Sequence, residues 1–177
     1  FRYYQKRHDL RQNLFFKESC NGNGSTIELH HAFSSVAHLR GKTADELLFD
    51  EYQIFDTSFE DDLEQVLKAS EMPVRVYSGT STHLDSPLEA RFQASSMGTW
   101  HIRSPNGKDW IDCGDKDTIL KTVRPLGPTC PFTNRLLNVM DGCWVHHQKK
   151  LLEQHMIGYH IPQIIIPEYA HEYNYWS

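Results

Sequence analysis

The sequence predicts an α/β domain organised around a parallel sheet, and three stretches carry that reading. In the first, within residues 44–53, the apolar run Leu47, Leu48, Phe49 leads directly into the paired acids Asp50 and Glu51. A short apolar run bounded by polar residues suits a strand buried on both faces of a parallel sheet. In the second, Thr57-Ser58-Phe59-Glu60 fits a capping box, with Thr57 as the cap and Glu60 reaching back. Phe59, Leu63, Val66 and Leu67 then recur at helical spacing as one apolar face, with Asp61, Asp62 and Glu64 turned to water. In the third, Met72-Pro73 ends the helix and Val-Arg-Val-Tyr-Ser, residues 74–78, alternates like a strand. Strand, helix, strand is a βαβ unit. Its right-handed crossover makes the two strands parallel, as neighbours or one place apart.

Composition bounds the function. At 177 residues the chain is long enough for one domain with its own core, and 39% hydrophobic with 12% aromatic residues argues for a globular fold. No apolar run approaches the ~20 residues of a membrane span, and no signal peptide is read at the N-terminus. The longest candidate, 161–167, is broken by Pro162 and Gln163. A formal charge of -5 denies the whole chain a basic footprint, so contact with nucleic acid must be local. Cys20, Cys113, Cys130 and Cys143 are scattered too widely for a disulfide scaffold, which points to a reducing compartment.

The chain opens without an initiator Met or a capping signal, as a segment of something longer would. Arg2, Lys6, Arg7 and Arg11 stand there against the single acid Asp9 and are the candidate DNA contacts, although a solvated helix face explains them more simply. Residues 13–19 and 25–33 are expected to form a hairpin around Asn21-Gly22-Asn23-Gly24. This Gly-rich turn is not a phosphate loop, because no Gly-Lys-Thr follows it and it leads to a strand. Gly41-Lys42-Thr43 is not one either. The leading Gly of a Walker A motif would fall at Val36, and the triplet precedes a strand rather than a helix.

Ligands of parallel sheets bind beyond the carboxyl ends of the strands, where Asp50 and Glu51 are expected. In nucleotide hydrolases an acid at that position helps hold Mg²⁺ against the phosphates, and a second acid beside it orients or activates the attacking water. The simpler alternative is a strand that ends in two solvated acids. The loop Ser78-Gly79-Thr80-Ser81-Thr82 should end on the same sheet edge, where its hydroxyls can bond a phosphate oxygen or water. Most Ser-Gly-Thr triplets are only turns.

Farther on, Asn106-Gly107 and Gly114-Asp115 mark turns of a small β-rich segment. His146-His147 is expected to open a helical stretch through Lys149, Lys150, Leu151, Leu152 and His155. No His-Glu-x-x-His occurs, so these histidines read as structural or solvated. The apolar run 161–167 should dock the end of the domain onto its core, and the Tyr- and Trp-rich residues 171–177 read as a linker.

Taken together, Leu47-Leu48-Phe49-Asp50-Glu51, the helix and Ser78-Gly79-Thr80 resemble the ATPase of large terminase subunits, the DNA-packaging motors of tailed bacteriophages. The resemblance continues through Pro87-Leu88-Glu89, Trp100, Gly127-Pro128-Thr129-Cys130-Pro131, Gly142-Cys143-Trp144-Val145 and Gly158-Tyr159-His160-Ile161-Pro162-Gln163, covering roughly residues 43–167. It implies part of an additional-strand P-loop ATPase fold with a mainly parallel sheet. By that resemblance residues 1–98 form a partial ATPase core, 99–145 a β-rich insertion, and 146–177 a helical or extended end leading to a following domain or linker. Asp50 would coordinate Mg²⁺, Glu51 would be the catalytic carboxylate, and Ser78, Gly79 and Thr80 would form the coupling motif that senses the nucleotide. The implied cofactors are ATP and Mg²⁺. The implied partners are double-stranded DNA, the portal protein and a small terminase subunit, with a homo-oligomeric ring at the procapsid portal in the host cytoplasm and no membrane.

The sequence departs from that family in two respects. The Walker A loop and its Lys are absent, so the segment alone should not turn over ATP. Related terminases can also carry two Cys-x-x-Cys pairs after the coupling motif, where this chain has Ser104-Pro105-Asn106-Gly107 and Cys130-Pro131-Phe132-Thr133. A zinc site could still recruit His101, Cys113, Cys130, Cys143 or His146, but the pairwise spacing that favours one is gone. The alternatives are a superfamily 2 helicase-like half, which shares the acid pair and hydroxyl strand end, and a non-catalytic nucleic-acid-binding module.

Overall fold

The computed structural model describes residues 11–12, 16–18, 25–31, 35–124 and 127–166. The architecture is mixed α/β, with small sheets, one of them a parallel pair. The chain divides into two compact units, Phe1–Ser78 and Gly79–Ser177.

The first unit begins with an antiparallel sheet of β1 (Arg11–Gln12), β2 (Phe16–Glu18) and β3 (Thr26–Glu28), in which Lys17 pairs with Ile27. This is the expected hairpin, although its turn at 21–24 lies outside the described residues, as do Arg2, Lys6, Arg7 and Cys20. Next come β4 (Glu46–Phe49), α1 (Glu60–Leu67) and β5 (Val74–Tyr77). β4 and β5 are parallel neighbours, in register from Glu46 opposite Val74 to Phe49 opposite Tyr77. The expected βαβ unit is therefore present. Leu63, Val66 and Leu67 are the buried side chains of α1, and Val66 O accepts the Ala44 N–H at 3.0 Å, tying the helix to the chain leading into β4. Arg75 on β5 clasps the Glu64 carboxylate with two hydrogen bonds, one of 2.5 Å. Both groups are more than a third exposed, so solvent screens this pair.

Two local expectations are corrected. β4 is not buried on both faces, since Leu48 is 67% exposed, because a two-stranded pair leaves its faces open. Thr57 is also not the cap. The Asp56 carboxylate accepts the Ser58 N–H at 3.0 Å and caps a turn of 3₁₀ helix, Thr57–Phe59, from which α1 continues. The Ser58 hydroxyl, together with this N–H, holds the Asp56 carboxyl below its ordinary pKa. Asp56 stands one residue before Thr57, and the tighter 3₁₀ turn places the cap there.

In the second unit α2 (Pro87–Gln93) starts cleanly, because Ser86 accepts the Glu89 N–H and Pro87 needs no partner for a missing N–H. The central strand is β6 (Gly98–Arg103). One of its edges pairs with β8 (Gly142–His146) from Gly98 to Ile102. The other is shared by β9 (Tyr159–His160), parallel at Gly98 and Thr99, and β7 (Trp110–Asp112), antiparallel at 101–103. Residues 98–160 thus contribute to one sheet. Ile102, Ile111, Cys113, Cys130 and Ile164 form the core under it, joined by Trp100, Ile119 on α3 (Lys116–Thr122), Val123, Leu137, Val139 and Ile165. The apolar run 161–167 does reach the core, through Ile164. The expected helix start at His146-His147 is displaced: His146 ends β8, and α4 (Lys149–Glu153) begins three residues later. Pairing of β8 with β6 holds this segment extended through His146.

Candidate functional site

The parallel register sets the geometry at the carboxyl end of the first unit's β4–β5 pair. Phe49 and Tyr77 are the last paired residues, so Asp50 and Ser78 leave their strands at the same level. The Ser78 N–H donates to Phe49 O at 2.8 Å, and its hydroxyl donates to Asp50 Oδ1 at 3.1 Å and Phe49 O at 3.2 Å. Asp50 Oδ1 also accepts the Glu51 N–H at 3.0 Å. The chain then reverses, and the Tyr52 N–H donates to Ser78 O at 2.9 Å. The two strand ends are thereby stitched together on both sides of the acid pair.

Glu51 occupies the left-handed region, with φ 53° and ψ 39°. For a residue with a Cβ this conformation costs about 1–2 kcal/mol, and such outliers gather where function requires them. Its carboxylate accepts a hydrogen bond from Gln53. Below the pair lies an aromatic cluster. Tyr52 is fully buried, its ring centroid 4.6 Å from Tyr77, 5.3 Å from Phe55 and 5.6 Å from Phe49, and Phe49 stacks on Tyr77 at 5.0 Å. The expectation for this site named the acids and hydroxyls but not the rings. The signal was present as four aromatics at strand and turn positions.

Asp50 and Ser78 are thus brought into contact, with Glu51 adjacent. Ser78 closes the first unit and Gly79 opens the second, with Thr80 next. The arrangement fits a hard cation in its donor chemistry: Asp50 is an exposed carboxylate oriented by two hydrogen bonds on one oxygen. ATP fits less completely, since no Gly-x-x-x-x-Gly-Lys-Thr occurs in the sequence to grip its phosphates.

The second unit holds the expected zinc candidates. Ser104 and Cys130, the leading positions of the two degenerate Cys-x-x-Cys pairs, come together with Oγ 3.1 Å from Sγ. Each begins a tight turn: Gly107 N–H donates to Ser104 O at 2.8 Å, and Asn134 N–H to Cys130 O at 2.9 Å. Burial pushes the Cys130 thiol up, but the Ser104 hydroxyl, the Thr133 hydroxyl and the N–H groups of Phe132 and Thr133 outweigh it and bring the pKa below the ordinary value. One turn aims the Phe132 and Thr133 N–H groups at the Cys130 sulfur, and the other brings the Ser104 hydroxyl to it. With one sulfur and two hydroxyls among the four positions, the donor set does not suit tetrahedral zinc.

Nor do His101, Cys113, Cys130 and Cys143 converge. Cys113 and Cys130 point into the core, where burial and the neighbouring Asp112 push the Cys113 thiol up to about 12, whereas Cys143 is exposed. Among the described residues the group whose ligand atoms do converge is His101, Asp112 and His147. Only His101 was singled out from sequence, because Asp112 and His147 reach it through strand pairing rather than local spacing. Set against known proteins, the chain matches no family model, no curated protein and no solved structure.

Proposed function

We propose that this chain is the Walker B and coupling half of a terminase-like ATPase, which hydrolyses ATP to move double-stranded DNA. One observation carries the reading: an acid pair at the carboxyl end of a parallel strand, its first acid hydrogen-bonded to the serine that ends the neighbouring strand. In that role Asp50 holds Mg²⁺, which spreads charge on the γ-phosphate when bound. Glu51, turned out of the strand by its left-handed backbone, orients the attacking water and takes its proton. The Ser78 hydroxyl, which donates to Asp50 Oδ1, would link the acid that holds the metal to the segment after β5.

Two further features support the reading. A parallel pair with Leu48 67%, Val74 44% and Val76 40% exposed has too little cover to stand as a whole sheet, and a P-loop sheet supplies neighbouring strands. The paired turns at Ser104 and Cys130 keep the form of the family's Cys-x-x-Cys knuckle without its metal donors. Partners in this reading are DNA, held through phosphate contacts and hence salt-dependent, the portal, the small subunit and further copies of the chain.

The test is DNA-stimulated ATP turnover by the polypeptide isolated from its natural source, together with its intact mass. Glu51→Gln should abolish turnover while nucleotide binding persists. A mass near 20.6 kDa with no turnover sinks the reading as an ATPase in its own right. Duplex unwinding without packaging would transfer it to a helicase.

A further inference from the structure

The second unit's sheet carries a constellation that the ATPase reading leaves unused, and neither the success nor the failure of that reading bears on it. His101 on β6 stands opposite Asp112 on β7, so both side chains lie on one face of the sheet. Thr99, two residues before His101, shares that face, and His147 follows directly after the end of β8. The ligand atoms of His101, Asp112 and His147 all lie within 4.8 Å of one another. His101 Nε2 is 3.4 Å from Asp112 Oδ1. Thr99 Oγ1 is 3.1 Å from His101 Nε2 and 2.9 Å from His147 Nε2, so both imidazoles aim a ring nitrogen at one point.

We propose that His101, Asp112 and His147 bind a divalent first-row transition metal of the zinc class. Two imidazoles and a carboxylate are the three-ligand set of open zinc sites, and imidazole disfavours Mg²⁺ and Ca²⁺. With bonds of about 2.0–2.2 Å, tetrahedral ligand atoms stand about 3.4 Å apart, which His101 and Asp112 already satisfy. The Gly114 N–H donates to Asp112 Oδ1 at 2.7 Å and fixes the carboxylate, as outer partners of metal ligands do. The fourth position falls to water. His101 and Asp112 are half-buried and His147 is exposed, which leaves an approach from solvent. A bound ion would clamp β6, β7 and the segment after β8.

The competing account is a His–Thr–His hydrogen-bond network that needs no ion. Tag-free full-length chain, stripped with chelator and titrated with Co²⁺, separates the two. We expect one equivalent to bind with visible d–d absorption and no thiolate charge-transfer band, and Zn²⁺ to displace it. His101→Ala, Asp112→Asn and His147→Ala should each weaken binding at least about tenfold. Thr99→Val, which breaks the network but keeps all three ligands, should retain binding, as should His155→Ala. His147 is exposed, and Asp112→Asn keeps a side-chain oxygen that accepts the Gly114 N–H, so these two variants should fold. Zn²⁺ should raise the melting temperature of wild type but not of His147→Ala. Absence of saturable binding, a thiolate band, or affinity unchanged in His147→Ala would overturn the proposal.

Discussion

Replacing Tyr52 by Ala is the sharpest test of how the acid pair is held. Tyr52 is fully buried, in ring contact with Phe49, Phe55 and Tyr77, and its N–H bonds Ser78 O. An aromatic side chain buries about 150–250 Å², worth at most roughly 4–6 kcal/mol at about 25 cal/mol per Å². Truncations of buried aromatics cost about 3–5 kcal/mol, so the two routes agree on about 3–4 kcal/mol here. That is a large share of a small unit's stability, which rarely exceeds about 5–15 kcal/mol for a whole domain. The assay is amide hydrogen exchange followed on peptides spanning residues 46–78, since all four tryptophans lie beyond residue 78 and fluorescence does not report here. At tenfold per 1.4 kcal/mol, protection of the Tyr52 and Ser78 amides should fall about a hundredfold or more. Tyr52→Phe keeps the ring and should lose far less. A loss under about 1 kcal/mol in Tyr52→Ala would refute the view that the ring cluster props the acids.

Further outcomes follow from other particulars. Because Glu51 has φ 53°, Glu51→Gly should be more stable than Glu51→Ala by about 1 kcal/mol in denaturant titration, and equal stability would remove the strain argument. Cys143 should alkylate quickly, whereas the buried Cys113 and Cys130 should react only on unfolding, as peptide mapping by mass spectrometry would show. The folded-state pKa of Cys113 is raised, so its contribution is fully present below the ordinary thiol value of 9.0 and is lost as pH climbs toward about 12. Stability should therefore decline across that alkaline window in wild type and less steeply in Cys113→Ala. A Cβ on Gly142 would stand 2.4 Å from His101 O, a backbone atom that cannot yield, so Gly142→Ala should part β8 from β6 and cost about 1–3 kcal/mol by thermal melting.

The sequence by itself determined the elements whose cause is local. The apolar run ending at Asp50, the helical recurrence of Leu63, Val66 and Leu67, and the alternation from Val74 are period signals, and they appear as β4, α1 and β5 with the parallel pairing that a right-handed crossover imposes. From that followed the placement of Asp50 and Ser78 side by side, since parallel strands of equal length end together. Only the tertiary structure decided what depends on neighbours. Which of Asp56 and Thr57 caps was settled by the turn the chain takes, and the exposure of Leu48 by the number of strands beside it. Cys113 was parted from His101 because alternate residues of a strand face opposite ways: Cys113 goes to the core while its neighbour Asp112 goes to the open face. His147 meets His101 because β8 pairs antiparallel with β6 in the register that sets Cys143 opposite His101. That register is a long-range choice, made by burial of Ile102, Ile111 and Trp100 on one face, and no local spacing encodes it.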